Sequence, residues 1–372
     1  MKYVFILGRN PVLSKAEIFS YLEKEKIKLN SDLLKQNSLY VDIEGEINPK
    51  EVIDKLGGTI AIGKVLFSGK IEKLKESIEN NPIYFDEPIK LVYSIFCYSS
   101  DENSKIIIDS MKTNFKNEGL KAKFHKFLEY TIKPTEKIYF FIQNIENHFG
   151  IIEAIHNPKQ VEERDMEKPV RREELAISPR ISKILINLSQ AKQGQELVDP
   201  FCGIGVILQE ALIQDINVTG IDNDSSATKH AKLNIEWIKT KYNFNANFNI
   251  LTDDSKKVVL QKIDAIATEP ELGDILTKVP DENITKSNLR KFEDLMIDVL
   301  NNLKKYTKPN TKIAFTSPLI KTNKGRKSCD IEKILNQTQL KIYNLKNSNI
   351  KFPITELREH KIIGRDIYVL IT

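Results

Sequence analysis

Two glycines, Gly203 and Gly205, follow the acidic residue Asp199 in the stretch ELVDPFCGIGVILQEAL. A glycine turn between a strand and a helix lets a ligand approach the backbone closely. The stretch is not a P-loop, because no Gly-Lys-Ser/Thr follows it. It is also not a full GxGxxG motif, because Leu208 occupies the place of the third glycine. These residue types predict a ligand-binding turn of another kind.

Further carboxylates follow at the spacing that an adenosyl ligand requires. Asp222 ends the next predicted strand, in GIDND, and a carboxylate at this place can accept both ribose hydroxyls. Asp254, with Asp253 as the alternative, follows the third strand and is placed to meet an adenine edge. A single strand-end aspartate occurs in any doubly wound sheet, but three such features in register predict an adenosyl cofactor.

The elements that would position these residues alternate between strand and helix from QELVDPF to DIYVLIT. This alternation predicts an α/β domain with a mostly parallel sheet over residues 175–372, and ligands bind beyond the carboxyl ends of such strands. Upstream, we predict a ferredoxin-like α+β domain at 1–70, an RNA-binding domain at 71–157 and a linker at 158–174. Within the first domain, Ser14 is predicted to cap a helix, with Glu17 as its capping-box partner.

The composition narrows the class of protein. The three cysteines are far apart and form no CxxC pair, which argues against a disulfide framework and a zinc site and indicates a reducing compartment, the cytoplasm. No apolar run approaches the roughly 18–20 residues that span a bilayer, so we expect no membrane partner. The formal net charge of +5 is compatible with a nucleic-acid partner.

Lysines concentrate in one part of the second predicted domain and outnumber the acidic residues there. We take these as candidate contacts to RNA phosphates, with a solvated protein face as the alternative. The candidate RNA-binding residues are Lys105, Lys112, Lys121, Lys123 and Lys126.

The segment VDPFCGIGVILQEAL resembles the S-adenosylmethionine loop of the THUMP-domain RNA guanine-N2 methyltransferases, which carry Asp-Pro-Phe-Cys-Gly-(Thr/Ser)-Gly. RDMEKPVRREELAISPRISKILINLS resembles the segment before that loop, and YVFILGRNPVLSKAEIFSYL resembles the start of the tRNA guanosine-10 subgroup. The resemblance implies a cap domain, a tRNA-gripping THUMP domain and a Rossmann-like methyltransferase domain. It also implies that Asp199, Gly203 and Gly205 border the methionine part of S-adenosylmethionine, and that Ser178 and Pro179 line its methionine end.

The chain departs from the family where the target base is expected. Relatives carry (Asp/Asn)-Pro-Pro-(Tyr/Phe) after the fourth strand, whereas this chain has ATEPELG. Aligned on Pro270, Glu269 takes the place of the acid or amide that accepts the guanine amine. Leu272 takes the place of the aromatic residue, whose stack on a base is worth about 1–3 kcal/mol. Glu269 and Pro270 are therefore the candidate catalytic residues.

These features favour an S-adenosylmethionine-dependent methyltransferase that acts on the N2 amine of a tRNA guanosine, at position 10. Two alternatives stay open: an amino-methyltransferase for DNA, ribosomal RNA or another tRNA guanine, and a tRNA-binding protein that keeps the cofactor fold without turnover. Some members of the family use a small zinc-containing activating subunit, which makes such a subunit a candidate partner.

Overall fold

Two sets of elements make up the chain, seen in a computed structural model that describes residues 1–85, 90–125, 136–143, 146–171, 177–272, 278–346, 348–357 and 361–372. The first set is β1 (Lys2–Leu7), α1 (Pro11–Lys24), β2 (Leu29–Lys35), β3 (Ser38–Ile43), α2 (Pro49–Lys55), β4 (Thr59–Gly69), α3 (Ile71–Asn80), β5 (Lys90–Tyr98), α4 (Asp101–Asn117), β6 (Lys121–Phe124), β7 (Glu136–Ile142) and β8 (Asn147–Ile155).

The second set begins with α5 (Pro158–Met166), α6 (Pro179–Leu188), β9 (Glu196–Asp199), α7 (Val206–Leu212), β10 (Asn217–Asp222), α8 (Ser225–Lys241), β11 (Phe248–Thr252) and β12 (Ile263–Thr268). It continues with α9 (Glu282–Leu303), a 3₁₀ turn (Lys304–Tyr306), β13 (Thr307–Thr322), β14 (Gly325–Lys327), α10 (Ile331–Thr338), β15 (Lys341–Ile342), β16 (Ile354–Glu356) and β17 (Ile363–Ile371). None of the helices in the described ranges is long and apolar enough to cross a membrane.

Contacts group the chain into two compact units. Unit 1 comprises Met1–Pro11, Lys28–Asp54 and Thr59–His156, and unit 2 comprises Val12–Ile27, Lys55–Gly58 and Asn157–Thr372. Helix α1 therefore belongs to unit 2, although it follows the first strand of unit 1.

Unit 1 is built on one eight-stranded sheet with the order β2-β3-β1-β4-β8-β7-β5-β6. Strand β4 pairs with β1 on one side and with β8 on the other, so the sheet continues across residue 70. Helices α3 and α4 cover part of it through a cluster that includes Leu74, Met111 and Phe115. The division of this region into two separate domains stays a prediction.

Unit 2 contains the predicted, mostly parallel sheet, with the order β11-β10-β9-β12-β13-β17-β15. The pairs from β11 to β13 are parallel, and β17 runs antiparallel to β13. From β9 the chain moves outward to β10 and β11 and then returns to β12 on the other side of β9. The carboxyl ends of β9 and β12 therefore flank the point where the strand order reverses, which is where α/β sheets bind ligands.

Helices bury both faces of this sheet, and successive strand residues point to opposite faces. Leu197 packs with residues of α6, α7 and α8, whereas Val198 packs with residues of α9 and α10. The predicted alternation of strands and helices is confirmed for this unit. Helices α6 to α10 cover the two faces of the sheet, and polar residues lie at the strand ends.

Two local expectations need revision. Helix α1 begins at Pro11, a residue suited to the first helical position, so Ser14 is not its cap and lies fully buried inside it. Glu17 is buried as well, and its carboxylate accepts the N–H groups of Gly57 and Gly58, both at 2.7 Å. Burial raises the pKa of Glu17, and those two hydrogen bonds oppose the rise. The pair Ser14 and Glu17 thus packs the interior of unit 2 and does not start a helix.

The segment 158–174, predicted as a linker, begins with helix α5. Arg164 on this helix donates Nε to Glu210 of α7 at 2.6 Å, and both side chains are buried. Arg164 also donates to the Tyr242 hydroxyl at 3.1 Å. The contacts fasten α5 to the body of unit 2.

Candidate cofactor site and target-base edge

The glycine turn after β9 has the conformation that its sequence predicts. Gly203 and Gly205 have φ angles of +51° and +83°, in the left-handed region that disfavours side chains. A Cβ at Gly205 would lie 3.2 Å from Ala231 Cβ, so this glycine lets α7 pack close to α8. A Cβ at Gly203 would meet nothing within 4 Å. The backbone at Gly203 therefore faces open space into which a ligand can come.

Asp222, at the end of β10, holds this turn in place. Its Oδ2 accepts the Gly203 N–H at 2.9 Å, and its Oδ1 accepts the Asp224 N–H at 2.9 Å. A carboxylate offers about four lone-pair sites, so two remain beyond these contacts. The half-buried carboxylate can thus support the loop and also accept hydroxyl donors from a ligand.

Asp199 lies at the end of β9, beside the end of β12, and is 1% exposed. Its Oδ1 accepts the Thr268 hydroxyl at 2.6 Å and the Phe201 N–H at 3.1 Å. Burial raises the pKa of Asp199 to about 7, and the negative charges of Asp222 and Glu269 add to the rise against these two hydrogen bonds. The carboxyl group therefore exchanges its proton near neutral pH.

The two aspartates after β11 lie next to the loop of Asp222. Asp253 donates its backbone N–H to the Asp222 carbonyl at 3.1 Å and is exposed. Asp254 is half-buried, and its Oδ1 accepts the Lys256 N–H at 3.0 Å. The structure therefore brings the strand-end residues of β10 and β11 together, as the spacing predicted.

Ser178 and Pro179 form the start of α6. The Ser178 hydroxyl caps the helix by accepting the Ile181 N–H at 3.4 Å, and Pro179 is the first, buried residue. This helix packs against α7, the helix that follows the glycine turn. The contact of Ser178 and Pro179 with the cofactor stays a prediction.

Glu269, directly after β12, lies at the same edge as Asp199. Its Oε2 accepts Arg365 Nε at 2.5 Å and the Thr316 hydroxyl at 3.1 Å, and its Oε1 accepts Arg365 Nη2 at 2.8 Å. The Glu269 side chain is 9% exposed. Burial lowers the pKa of Arg365, but the hydrogen bonds of Arg365 with Glu269 and the negative charge of that carboxylate raise the pKa overall. A bidentate ion pair therefore occupies the position at which the sequence predicts the acceptor for the target amine.

The three residues after Glu269 differ in their exposure to solvent. Pro270 is buried, Glu271 is exposed and Leu272 is half-buried. Sequence reasoning missed Arg365 and Thr316, which come from β17 and β13. The only available signal was an arginine at the start of an apolar last strand, in GRDIYVLIT.

The candidate RNA-binding lysines lie in unit 1. Lys105 and Lys112 are exposed on α4, and Lys112 pairs with Asp109 at 2.8 Å. Lys121 and Lys123 are exposed on β6, the edge strand, and project to one face because they are two residues apart. Lys126 lies outside the described residues.

Known proteins resemble this chain over different lengths. Residues 169–299 match the methyltransferase domain described as UPF0020, RMKL-like. A tRNA (guanine(10)-N2)-dimethyltransferase from Pyrococcus abyssi is 25% identical over 284 residues, which cover 73% of this chain and 78% of the relative. The enzyme of the same name from Methanothermobacter thermautotrophicus is 33% identical over 99 residues, 26% of this chain and 28% of the relative.

One solved structure supports the fold over the full length. TrmN from Thermus thermophilus superposes with a TM-score of 0.53 at 13% identity, and the match covers 100% of both chains. The matched domain includes the glycine turn, Asp222 and Glu269, whereas Arg365 lies beyond it. The predicted resemblance is thus confirmed for the methyltransferase domain, because residues 169–299 match the RMKL-like methyltransferase model.

Proposed function

We propose that this protein transfers a methyl group from S-adenosylmethionine to the exocyclic N2 amine of a guanosine in tRNA, at position 10. The observation that carries the proposal is the meeting of two sets of residues at one edge of a parallel sheet. β9 and β10 supply the glycine turn and Asp222, and the neighbouring β12 supplies Glu269. Both named relatives are tRNA (guanine(10)-N2)-dimethyltransferases.

The residues at the turn fit an adenosyl cofactor. The open space at Gly203 admits a ligand to the backbone, and Asp222 has acceptor sites left for ribose hydroxyls. Asp254, with Asp253 beside it, would meet the adenine edge, and Ser178 and Pro179 would line the methionine end. The cofactor, when bound, supplies an electrophilic methyl group on a sulfonium.

The chemistry at Glu269 follows from the weak basicity of the guanine amine, whose lone pair is delocalised into the ring. Glu269 accepts one amine hydrogen and turns the lone pair toward the methyl group, so catalysis rests mainly on positioning. In the transfer, N2 would form a bond to the methyl carbon as the carbon–sulfur bond breaks, the thioether S-adenosylhomocysteine would leave, and the proton lost by N2 would pass to solvent. The base must leave its stack to reach this edge.

The exposed lysines of unit 1 would hold the tRNA by its phosphates. Lys105, Lys112, Lys121 and Lys123 provide charge that recognises a polyanion without reading its sequence. Lys126 belongs to the same candidate set. A cytoplasmic location and a small zinc-containing activating subunit belong to the proposal on the strength of the cysteine content and the resemblance alone.

A single-turnover assay tests the proposal. Excess protein is mixed with labelled S-adenosylmethionine and an unmodified tRNA transcript, and the label in RNA is followed over time. We expect transfer by the wild type and at least a hundredfold slower transfer by Glu269→Ala, because a preorganised acceptor is lost. Glu271→Ala is the matched control, since that exposed side chain should leave the rate unchanged.

One observation favours a second candidate function, a tRNA-binding protein without turnover. Leu272 stands where relatives place an aromatic ring, so a flipped base would lose its stacking partner. On that alternative the wild type would bind tRNA and S-adenosylmethionine but transfer no label, with or without candidate activating subunits.

A further inference from the structure

The carboxylate of Glu269 is almost saturated with donors from its own chain. Oε2 accepts two of them, Arg365 Nε and the Thr316 hydroxyl, and Oε1 accepts one, Arg365 Nη2. A carboxylate oxygen has two lone-pair sites. Among the described contacts, Oε2 is therefore full and Oε1 keeps a single site.

We propose that Arg365 is a positioning residue, which holds Glu269 so that the remaining lone pair of Oε1 is the acceptor for the target amine. This inference rests on the proposed function and deepens it. Both carboxylate oxygens bind one planar guanidinium, and this fork fixes the rotation of the carboxylate as well as its position. Thr316, which is fully buried, blocks the remaining site on Oε2.

Arg365 is itself held by the sheet. It lies on β17, directly across from Pro318 of β13 and from Glu356 of β16. Glu356 is 6% exposed, and its negative charge also favours the charged guanidinium. Strand geometry therefore aims the guanidinium fork, and the longer side chain of Glu269 gains the rigidity that a glutamate lacks by itself.

The guanidinium of Arg365 also reduces the repulsion among the three carboxyl groups of the site. Glu269 and Asp222 both act on Asp199 as like charges. A guanidinium bound to Glu269 offsets one of these two negative charges, so ionised Asp199 is repelled less strongly. Lysine could supply the charge, but it offers point donors and cannot bind both oxygens in one plane.

The test compares five variants with the wild type in the single-turnover assay at saturating tRNA. We expect Arg365→Gln to slow transfer by about ten- to a hundredfold, with the dissociation constant of S-adenosylmethionine unchanged within a factor of two. Arg365→Lys should lose less, and Arg290→Gln, a matched control with an 80% exposed side chain on α9, should react like the wild type. Glu269→Gln combined with Arg365→Gln should be no slower than Glu269→Gln, because Arg365 acts through the carboxylate.

The conservative variant and the double variant separate positioning from a general structural role. Arg365→Lys keeps a positive charge beside Glu269 but not the bidentate fork, so a positioning role predicts a rate between those of the wild type and Arg365→Gln. A purely structural role would multiply the losses of Glu269→Gln and Arg365→Gln in the double variant. If Arg365→Gln does not fold, Arg365→Lys carries the test through the same comparison with Glu269→Gln.

The outcomes distinguish this inference from the proposed function. An active wild type with an equally fast Arg365→Gln or Arg365→Lys, or losses that multiply in the double variant, overturns the role of Arg365 alone. A wild type that transfers nothing overturns the proposed function and this assignment with it.

Discussion

We predict that the buried carboxyl group of Asp199 makes cofactor affinity depend on pH. Its pKa of about 7 means that the ligand-free protein holds a proton there under mildly acidic conditions. S-Adenosylmethionine carries a positive sulfonium, and a nearby cation favours the ionised carboxylate. The proton and the cofactor therefore compete, and affinity rises as the pH rises through 7.

The magnitude follows from the fraction ionised. If only the ionised form binds, the dissociation constant at pH 6 is about eightfold larger than at pH 7.5, or ~1.3 kcal/mol. The window ends below the range of about 7.7–8.0 in which the cofactor's own α-amino group titrates. Titration calorimetry at both pH values measures the ratio, and buffers of different ionisation enthalpy report the released proton.

Asp199→Asn is the matched variant. Both hydrogen bonds to Asp199, from Thr268 and Phe201, converge on Oδ1, so an asparagine oxygen can keep them. We expect its affinity to be nearly independent of pH in this window. An equal wild-type affinity at pH 6 and pH 7.5, or a pH dependence that persists in Asp199→Asn, would show that the Asp199 proton does not compete with the cofactor.

Three further predictions concern folding, the ribose site and the RNA face. Folded Asp199 keeps its proton to about pH 7, whereas the unfolded group ionises near pH 4, so its contribution to folding stability is lost as pH rises through 7. The melting temperature of Asp199→Asn relative to that of the wild type should therefore increase from pH 5 to pH 8. Asp222→Ala should weaken S-adenosylmethionine binding about ten- to a hundredfold in calorimetry, since it removes the acceptor for ligand hydroxyls and the anchor of the turn; unchanged affinity in a folded variant would remove Asp222 from the site. Replacing Lys121 and Lys123 by Gln should reduce the slope of log affinity for tRNA against log salt by about two, whereas the exposed Lys50 and Lys70 serve as controls; an unchanged slope would make β6 a solvated edge.

The cofactor turn could be predicted because its signals are local. Gly203, Gly205 and Asp222 lie within one strand–helix–strand unit, where the chain's own geometry brings them together. The strand-end aspartates followed from the same rule, since parallel strands end at one edge.

Contacts between distant segments could not be predicted in this way. Arg365 reaches Glu269 across 96 residues, through the register of β17 against β13. Ser14 and Glu17 showed a capping-box spacing, but packing inside unit 2 decides their environment. The sequence of β2 does not predict a strand, because β2 is a largely polar edge strand and lacks the alternation that marks a half-buried one.

The most direct test of methyl transfer to the N2 amine removes that one functional group from the substrate. Two tRNA transcripts are compared in the single-turnover assay, one with guanosine at position 10 and one with inosine, which lacks only the exocyclic amine. We expect transfer to the first, with the label recovered as an N2-methylated guanosine, and none to the second. Equal labelling of both transcripts, or label in another nucleoside, would contradict methylation at N2 of this guanosine.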